Sequence, residues 1–126
     1  MTNSSITTCV YNNDDGDKAG ALIGSFHSLS YNVTISDCVV DNCTIKGYRD
    51  IAGLVGCADL TYNNAGAGVT VANNTISNTK VIQDLANGYK STAPDTVSEI
   101  IGRQINCTLD TTTNTTTGVT ISKIGE

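Results

Sequence analysis

Val33-Thr-Ile-Ser-Asp-Cys-Val-Val-Asp-Asn-Cys-Thr-Ile45 and Val69-Thr-Val-Ala-Asn-Asn-Thr-Ile-Ser-Asn-Thr-Lys-Val81 align without a gap, 36 residues apart. Apolar positions coincide: Val33 with Val69, Ile35 with Val71, Val40 with Ile76 and Ile45 with Val81. Within the first copy the inward candidates come in pairs two residues apart: Val33 and Ile35, Cys38 and Val40, Cys43 and Ile45. A spacing of two puts both side chains on one face of a strand. A step of five between pairs then means a short strand, a corner and another short strand, with the same face kept inward. An amphipathic helix would repeat near 3.6 instead. The pattern is that of one coil of a β-helix, with equivalent positions of successive coils stacked into ladders.

The repeat extends both ways. Ile6-Thr-Thr-Cys-Val-Tyr-Asn-Asn13 lies over Ile35 to Asn42, and Val119-Thr-Ile-Ser122 reads as a shortened fourth copy of the Val-Thr-Ile strand. This alignment places Cys9, Cys38 and Asn74 in one ladder, and Ile6, Ile35 and Val71 in another. A second element alternates with the first: Ala21-Leu-Ile-Gly24, Gly53-Leu-Val-Gly56 and Glu99-Ile-Ile-Gly102. Each follows a glycine with a basic residue two further on, in Gly16-Asp-Lys18, Gly47-Tyr-Arg49 and Gly88-Tyr-Lys90. Loops of growing length follow Gly24, Gly56 and Gly102: Ser25 to Asn32, Cys57 to Gly68 and Arg103 to Gly118. A further insertion spans 84–98 and holds the single proline, Pro94. Ala93 to Glu99 reads there as a turn of helix, because proline tolerates a first helical position. Constant strands with one variable connection are the mark of a solenoid.

Composition agrees. The 126 residues suit one domain, and charged residues make up only 15%. Thr, Val and Ile favour strands, while Asn and Gly favour tight turns. The net charge is −5 and the seven basic residues form no run, which excludes a nucleic-acid surface of the usual kind. No apolar run reaches the length of a membrane span. Met1 is followed directly by Thr-Asn-Ser-Ser, so the chain opens on no signal-peptide pattern.

Ile35-Ser-Asp-Cys-Val-Val-Asp-Asn-Cys-Thr-Ile-Lys-Gly47, running into Ile51-Ala-Gly-Leu-Val-Gly56, resembles the glycine-rich GLUG-motif repeats. The resemblance covers two copies, from Asp17 to Gln83. It implies repetitive β-structure in exported or surface proteins of bacteria, adhesin-like in character, and it brings no catalytic residue with it.

Candidate chemistry is sparse. The five cysteines, Cys9, Cys38, Cys43, Cys57 and Cys107, are odd in number and include no Cys-x-x-Cys pair, which suits neither a disulfide framework nor a zinc site. They read as small buried hydrophobes, with a link between stacked coils such as Cys9 to Cys38 as the alternative. Asn12-Asn-Asp-Asp-Gly-Asp17 is rich in oxygen ligands but lacks the order of a calcium loop, and reads as a solvated turn. His27 is the sole histidine, and no nucleophile elbow surrounds any serine. Asp37, Asp41, Asp50 and Asp59 are the carboxylates available for glycoside cleavage. Thr111-Thr-Thr-Asn-Thr-Thr-Thr117 reads as a flexible or hairpin-like insertion. The sequons at Asn32, Asn42 and Asn73 follow from an Asn/Thr-rich composition.

The expectation is therefore an all-β fold: one domain over 1–126, a short right-handed β-solenoid of three to four coils within a longer repetitive protein. Its core comprises Ile6, Leu22, Ile23, Val33, Ile35, Val40, Ile45, Leu54, Val55, Val69, Val71, Ile76, Val81, Ile100, Ile101, Val119 and Ile121. The functional expectation is a non-catalytic structural or adhesive module of an exported surface protein. It has no catalytic, cofactor or metal site, and its partners are glycans or proteins, or further copies of itself through open strand edges. The alternative is a carbohydrate-binding or carbohydrate-cleaving domain, which needs tyrosines and carboxylates to converge in a groove, for example Tyr48, Tyr62 or Tyr89 near Asp50 or Asp59.

Overall fold

The computed structural model describes residues 1–12, 18–27, 32–61, 68–86 and 97–125. These residues form short strands and no helix. The first layer of chain holds β1 (Ser5–Thr7), β2 (Val10–Asn12), β3 (Ala19–Gly20) and β4 (Ile23–His27). The second holds β5 (Val33–Ser36), β6 (Val39–Asp41), β7 (Thr44–Gly47), β8 (Ile51–Ala52) and β9 (Val55–Asp59). The third holds β10 (Val69–Ala72), β11 (Thr75–Ser77), β12 (Lys80–Asp84), β13 (Val97–Ser98) and β14 (Ile101–Ile105). A fourth adds β15 (Thr115–Thr117) and β16 (Thr120–Ile124).

Every strand pairing among the described residues is parallel and joins one layer to the next. Five sheets result, in the orders β1-β6-β11-β15, β5-β10, β2-β7-β12-β16, β3-β8-β13 and β4-β9-β14. The architecture is thus all-β, with parallel strands in stacked sheets, consistent with a β-solenoid. The registers Val33 over Val69, Val40 over Ile76, Ile45 over Val81, and Ile23 over Val55 over Ile101 are those read from the repeat.

The first and last copies stack differently from the sequence alignment. Ile6 lies beside Val40, not Ile35, and Cys9 stacks on Cys43, not Cys38. Val119 to Ser122 runs over Thr79 to Ile82, so it repeats the third strand of the layer and not the Val-Thr-Ile strand. The cause is the five-residue step itself. A slip by one step, as at Ile6, or by two, as at Val119, keeps the inward face inward, so hydrophobic matching cannot distinguish the registers.

Loop limits shift as well. Ser25 to His27, Cys57 to Asp59 and Arg103 to Ile105 continue strands beyond the glycines. Thr115 to Thr117 is no flexible insertion: β15 pairs with Thr75 to Ser77. Val97 and Ser98 form a strand where a turn of helix was expected, and 91–96 lie outside the described residues.

The interior is filled by Ile35, Val40, Ile45, Ile51, Leu54, Val55, Val71, Ile76 and Val81, all essentially inaccessible. Ile6, Leu22, Ile23, Val33, Val69, Ile100 and Val119 are partly buried against them. Ile121, expected in the core, is 47% exposed. It stands in register with Val81 and Ile45, but no described strand stacks on its outer side. Tyr11, at the other end of that ladder, is 44% exposed for the same reason.

The corners explain the step of five. Asn3, Asp37 and Asn73 form one column of left-handed residues, with φ of 50°, 55° and 57°. Thr8, Asn42, Asn78 and Gly118 form another, with φ of 54°, 53°, 50° and 63°. Asn, Asp and Gly tolerate this conformation, whereas a β-branched residue pays sterically. Thr8 is the exception in its column. Thr8→Asn is therefore expected to raise stability by about 1 kcal/mol, read as an upward shift of the thermal unfolding midpoint.

Buried polar groups are handled by a second ladder. Asn74 Oδ1 accepts from the Cys38 amide at 3.0 Å, and Asn74 Nδ2 donates to Ile35 O at 3.0 Å and to Asn114 Oδ1 at 2.8 Å. Asn114 Nδ2 in turn donates to Val71 O at 2.9 Å. Each asparagine thus pairs the backbone of the layer before it at a corner that strand pairing leaves open.

Candidate functional site

The outer face of the sheet β4-β9-β14 gathers more chemistry than any other described surface. Phe26 and Ala58 pack toward the core, so their neighbours Ser25, His27, Cys57 and Asp59 project to the other side. Register sets Ser25 beside Cys57 and Cys57 beside Arg103, and His27 beside Asp59. Directly opposed residues of adjacent strands lie about 4.8 Å apart at the backbone, close enough for side chains to meet.

They do meet. His27 Nδ1 is 3.3 Å from Asp59 Oδ2, and His27 Nε2 is 3.2 Å from Ser25 Oγ. An ionised carboxylate only accepts, so the first contact assigns the proton to Nδ1. Nε2 of the neutral ring is then an acceptor, and the Ser25 hydroxyl donates to it. Asp59 is fixed from behind by Thr61, whose Oγ1 donates to Asp59 Oδ1 at 2.6 Å and whose amide donates to it at 2.9 Å. The Thr61 hydroxyl, followed by its amide and then His27, holds the Asp59 carboxyl below its ordinary value. Asp59 thus stays an anion over an extended acid range.

Deeper on the same face, Asp50 is completely buried, with φ of 53° at the corner before β8. Arg103 Nη1 lies 3.6 Å from its Oδ2. Burial, and then the Asp50 charge, raise the Cys57 thiol above its ordinary value. A thiol held protonated in this way is a poor nucleophile.

Among the described residues, the tyrosine and carboxylate groove that carbohydrate work needs has little to draw on. Tyr48 is only 7% exposed and belongs to the core, where it presents no face for a sugar ring. Asp50 is buried and ion-paired. Asp41 belongs to β6, where it accepts from Ser77 Oγ at 2.6 Å and Asn78 Nδ2 at 2.9 Å, and Asp37 sits at the corner after β5. Neither shares a sheet with Asp59. Tyr62, Tyr89 and residues 13–17 of the oxygen-rich turn lie outside the described residues.

All five cysteines are free. The stacked pair is Cys9 and Cys43, not Cys9 and Cys38. The Cys9 thiol is pushed up to about 11, by burial first and by hydrogen bonding to the Cys43 thiol second.

A cavity of about 390 Å³ opens beside β13 and β14, on which no described strand of the fourth layer lies, lined by Val97, Glu99, Ile101, Gln104, Thr111 and Ile121. Thr116 Oγ1 donates to Glu99 Oε2 at 2.6 Å beside it.

Reading His27 as an isolated residue missed the Ser25, His27 and Asp59 cluster. The signal was present: Ile23-Gly-Ser-Phe-His27 over Val55-Gly-Cys-Ala-Asp59 already sets histidine over aspartate. Ending each strand at its glycine hid it. No helix of the described residues is long and apolar enough to cross a membrane. Comparisons of the chain with protein-family models, with curated proteins and with solved structures find no match.

Proposed function

We propose that the chain is a structural or adhesive repeat module of an exported bacterial surface protein. In this reading it is a short right-handed β-solenoid of the GLUG-motif kind that displays connections of variable length. Right-handedness follows from the rule for parallel crossovers in one sheet. The observation that carries the reading is the contrast between strands and connections. Strand registers hold from layer to layer, while the link between the third and fourth strands of a layer grows from 48–50 after β7 to 85–96 after β12. A frame kept constant around one variable stretch fits selection on what that stretch contacts. Among the described residues the outermost strands pair on one side only, which suits stacking in a longer array.

The test is an array of glycans and extracellular-matrix proteins probed with the soluble domain. Retention is expected to fall at least tenfold when 85–96 is replaced by the 48–50 turn, with the thermal midpoint little changed. Release of new reducing ends from arrayed glycans would favour the carbohydrate-cleaving alternative instead.

A further inference from the structure

We infer that Ser25, His27 and Asp59 form a nucleophile relay, in which Ser25 Oγ attacks activated carbonyl esters. The inference goes beyond display of loops and is independent of it. Three observations carry it. The contacts follow the order needed to activate a serine: carboxylate to Nδ1 at 3.3 Å, then Nε2 to hydroxyl at 3.2 Å. The tautomer is set by Asp59, which accepts only, so Nε2 faces Ser25 as a base. Asp59 is itself held from the far side by both donors of Thr61, which fixes the carboxylate that orients the ring. Such a relay is recognised by geometry and role and does not depend on a particular fold.

The surroundings suit acyl transfer. Ser25 and His27 both belong to β4, which has a single strand neighbour among the described residues. His27 is 44% exposed at the side chain, so a small ester reaches the pair without a channel. An open face of this kind makes few contacts with the acyl chain, so the expected substrates are small and activated and selectivity is low.

The step balances as follows. Ser25 Oγ bonds to the carbonyl carbon while its proton passes to His27 Nε2. The bond from that carbon to the leaving oxygen breaks, and the leaving oxygen takes the proton from Nε2. Acyl-Ser25 and a free alcohol or phenol result. Water, deprotonated by the same nitrogen, then releases the carboxylic acid and restores Ser25.

The probes are 4-nitrophenyl acetate and a biotinylated fluorophosphonate, applied to the folded chain, with peptide mapping of the labelled residue. The fluorophosphonate is expected to label Ser25. Label is lost in Ser25→Ala, falls on the order of a hundredfold or more in His27→Gln, and falls by an intermediate factor in Asp59→Asn. All three side chains lie on the outer face, so far-UV circular dichroism and the unfolding midpoint are expected to stay near those of the parent. A burst of 4-nitrophenol should track the same order of variants. Absence of label at Ser25 in the folded protein overturns the inference, as does label that His27→Gln leaves unchanged. Loop-dependent retention on the array would survive that failure, so the two readings fail separately.

Discussion

Gly56→Ala is expected to destabilise the protein by about 3 kcal/mol or more, the upper end of what overpacking costs or beyond it. A Cβ at Gly56 would lie 2.5 Å from Gly24 O, 2.6 Å from Ala19 N and 2.7 Å from Asp50 O. All three are backbone atoms of paired or buried segments, so no side chain can swing aside. The same holds at Gly102, where the Cβ would meet Gly56 O at 2.6 Å and the Asp50 backbone at 2.7 Å. Gly24 heads the same column, but its nearest neighbour would be Lys18 O at 3.2 Å. Gly24→Ala should therefore cost under about 1 kcal/mol. Chemical denaturation of the three variants checks this order, and equal effects at the three sites would show that the glycines are not in close stacked contact.

Asn74→Ala is expected to cost about 3 kcal/mol. The side chain is buried, and its removal strips partners from the Cys38 amide and the Ile35 carbonyl at once. Each buried backbone group left unpaired costs about 1–3 kcal/mol. Asn74→Asp should be at least as harmful. It keeps an acceptor for Cys38 but sets carboxylate oxygen against Ile35 O and Asn114 Oδ1, where Asn74 Nδ2 now donates. Asn32→Ala is the control. Asn32 Oδ1 accepts from the Gly68 amide at 2.8 Å in an exposed setting, where water replaces it, and the expected loss is below about 1 kcal/mol. Denaturant midpoints again decide.

Much of this fold could be read from Val33 to Val81. Spacing of two within pairs and five between them gave strands, corners and inward faces, and the central layers stack as that pattern requires. Two things were hidden, each for a physical reason. The register of Ile6 and Cys9 was hidden because every five-residue step presents a similar apolar face. The corners do not separate the two registers either, since the rejected one sets Thr8 over Asp37, itself a left-handed corner. The ordered Thr115 to Thr117 strand was hidden because threonine repeats look alike whether they bond to a neighbour or to water. Asn114, one residue earlier, was the clue, since it continues the asparagine ladder from Asn74.

The candidate site was less legible still. Ser25, His27 and Asp59 are unremarkable apart from one another, and no local motif joins them. They meet because a strand continues past Gly24 and Gly56 and because two layers stack with His27 over Asp59. A site made by stacking becomes visible only when both the strand length and the register are right. By the same logic Tyr48, attractive as a sugar platform beside Asp50, is consumed by the core.

Register is the claim on which the ladders, the glycine column and the relay all depend, and cysteine cross-linking reads it directly. Stacked residues of neighbouring strands sit about 4.8 Å apart at Cα, within the 4.4–6.8 Å that a disulfide spans. The folded chain would be oxidised with diamide above pH 8, the remaining thiols blocked, and the linked peptides mapped by mass spectrometry. A Cys9–Cys43 link is the expected result, formed slowly because the Cys9 thiol is pushed up to about 11. A Cys9–Cys38 link would place the first layer one corner out of step and contradict the stacking described above.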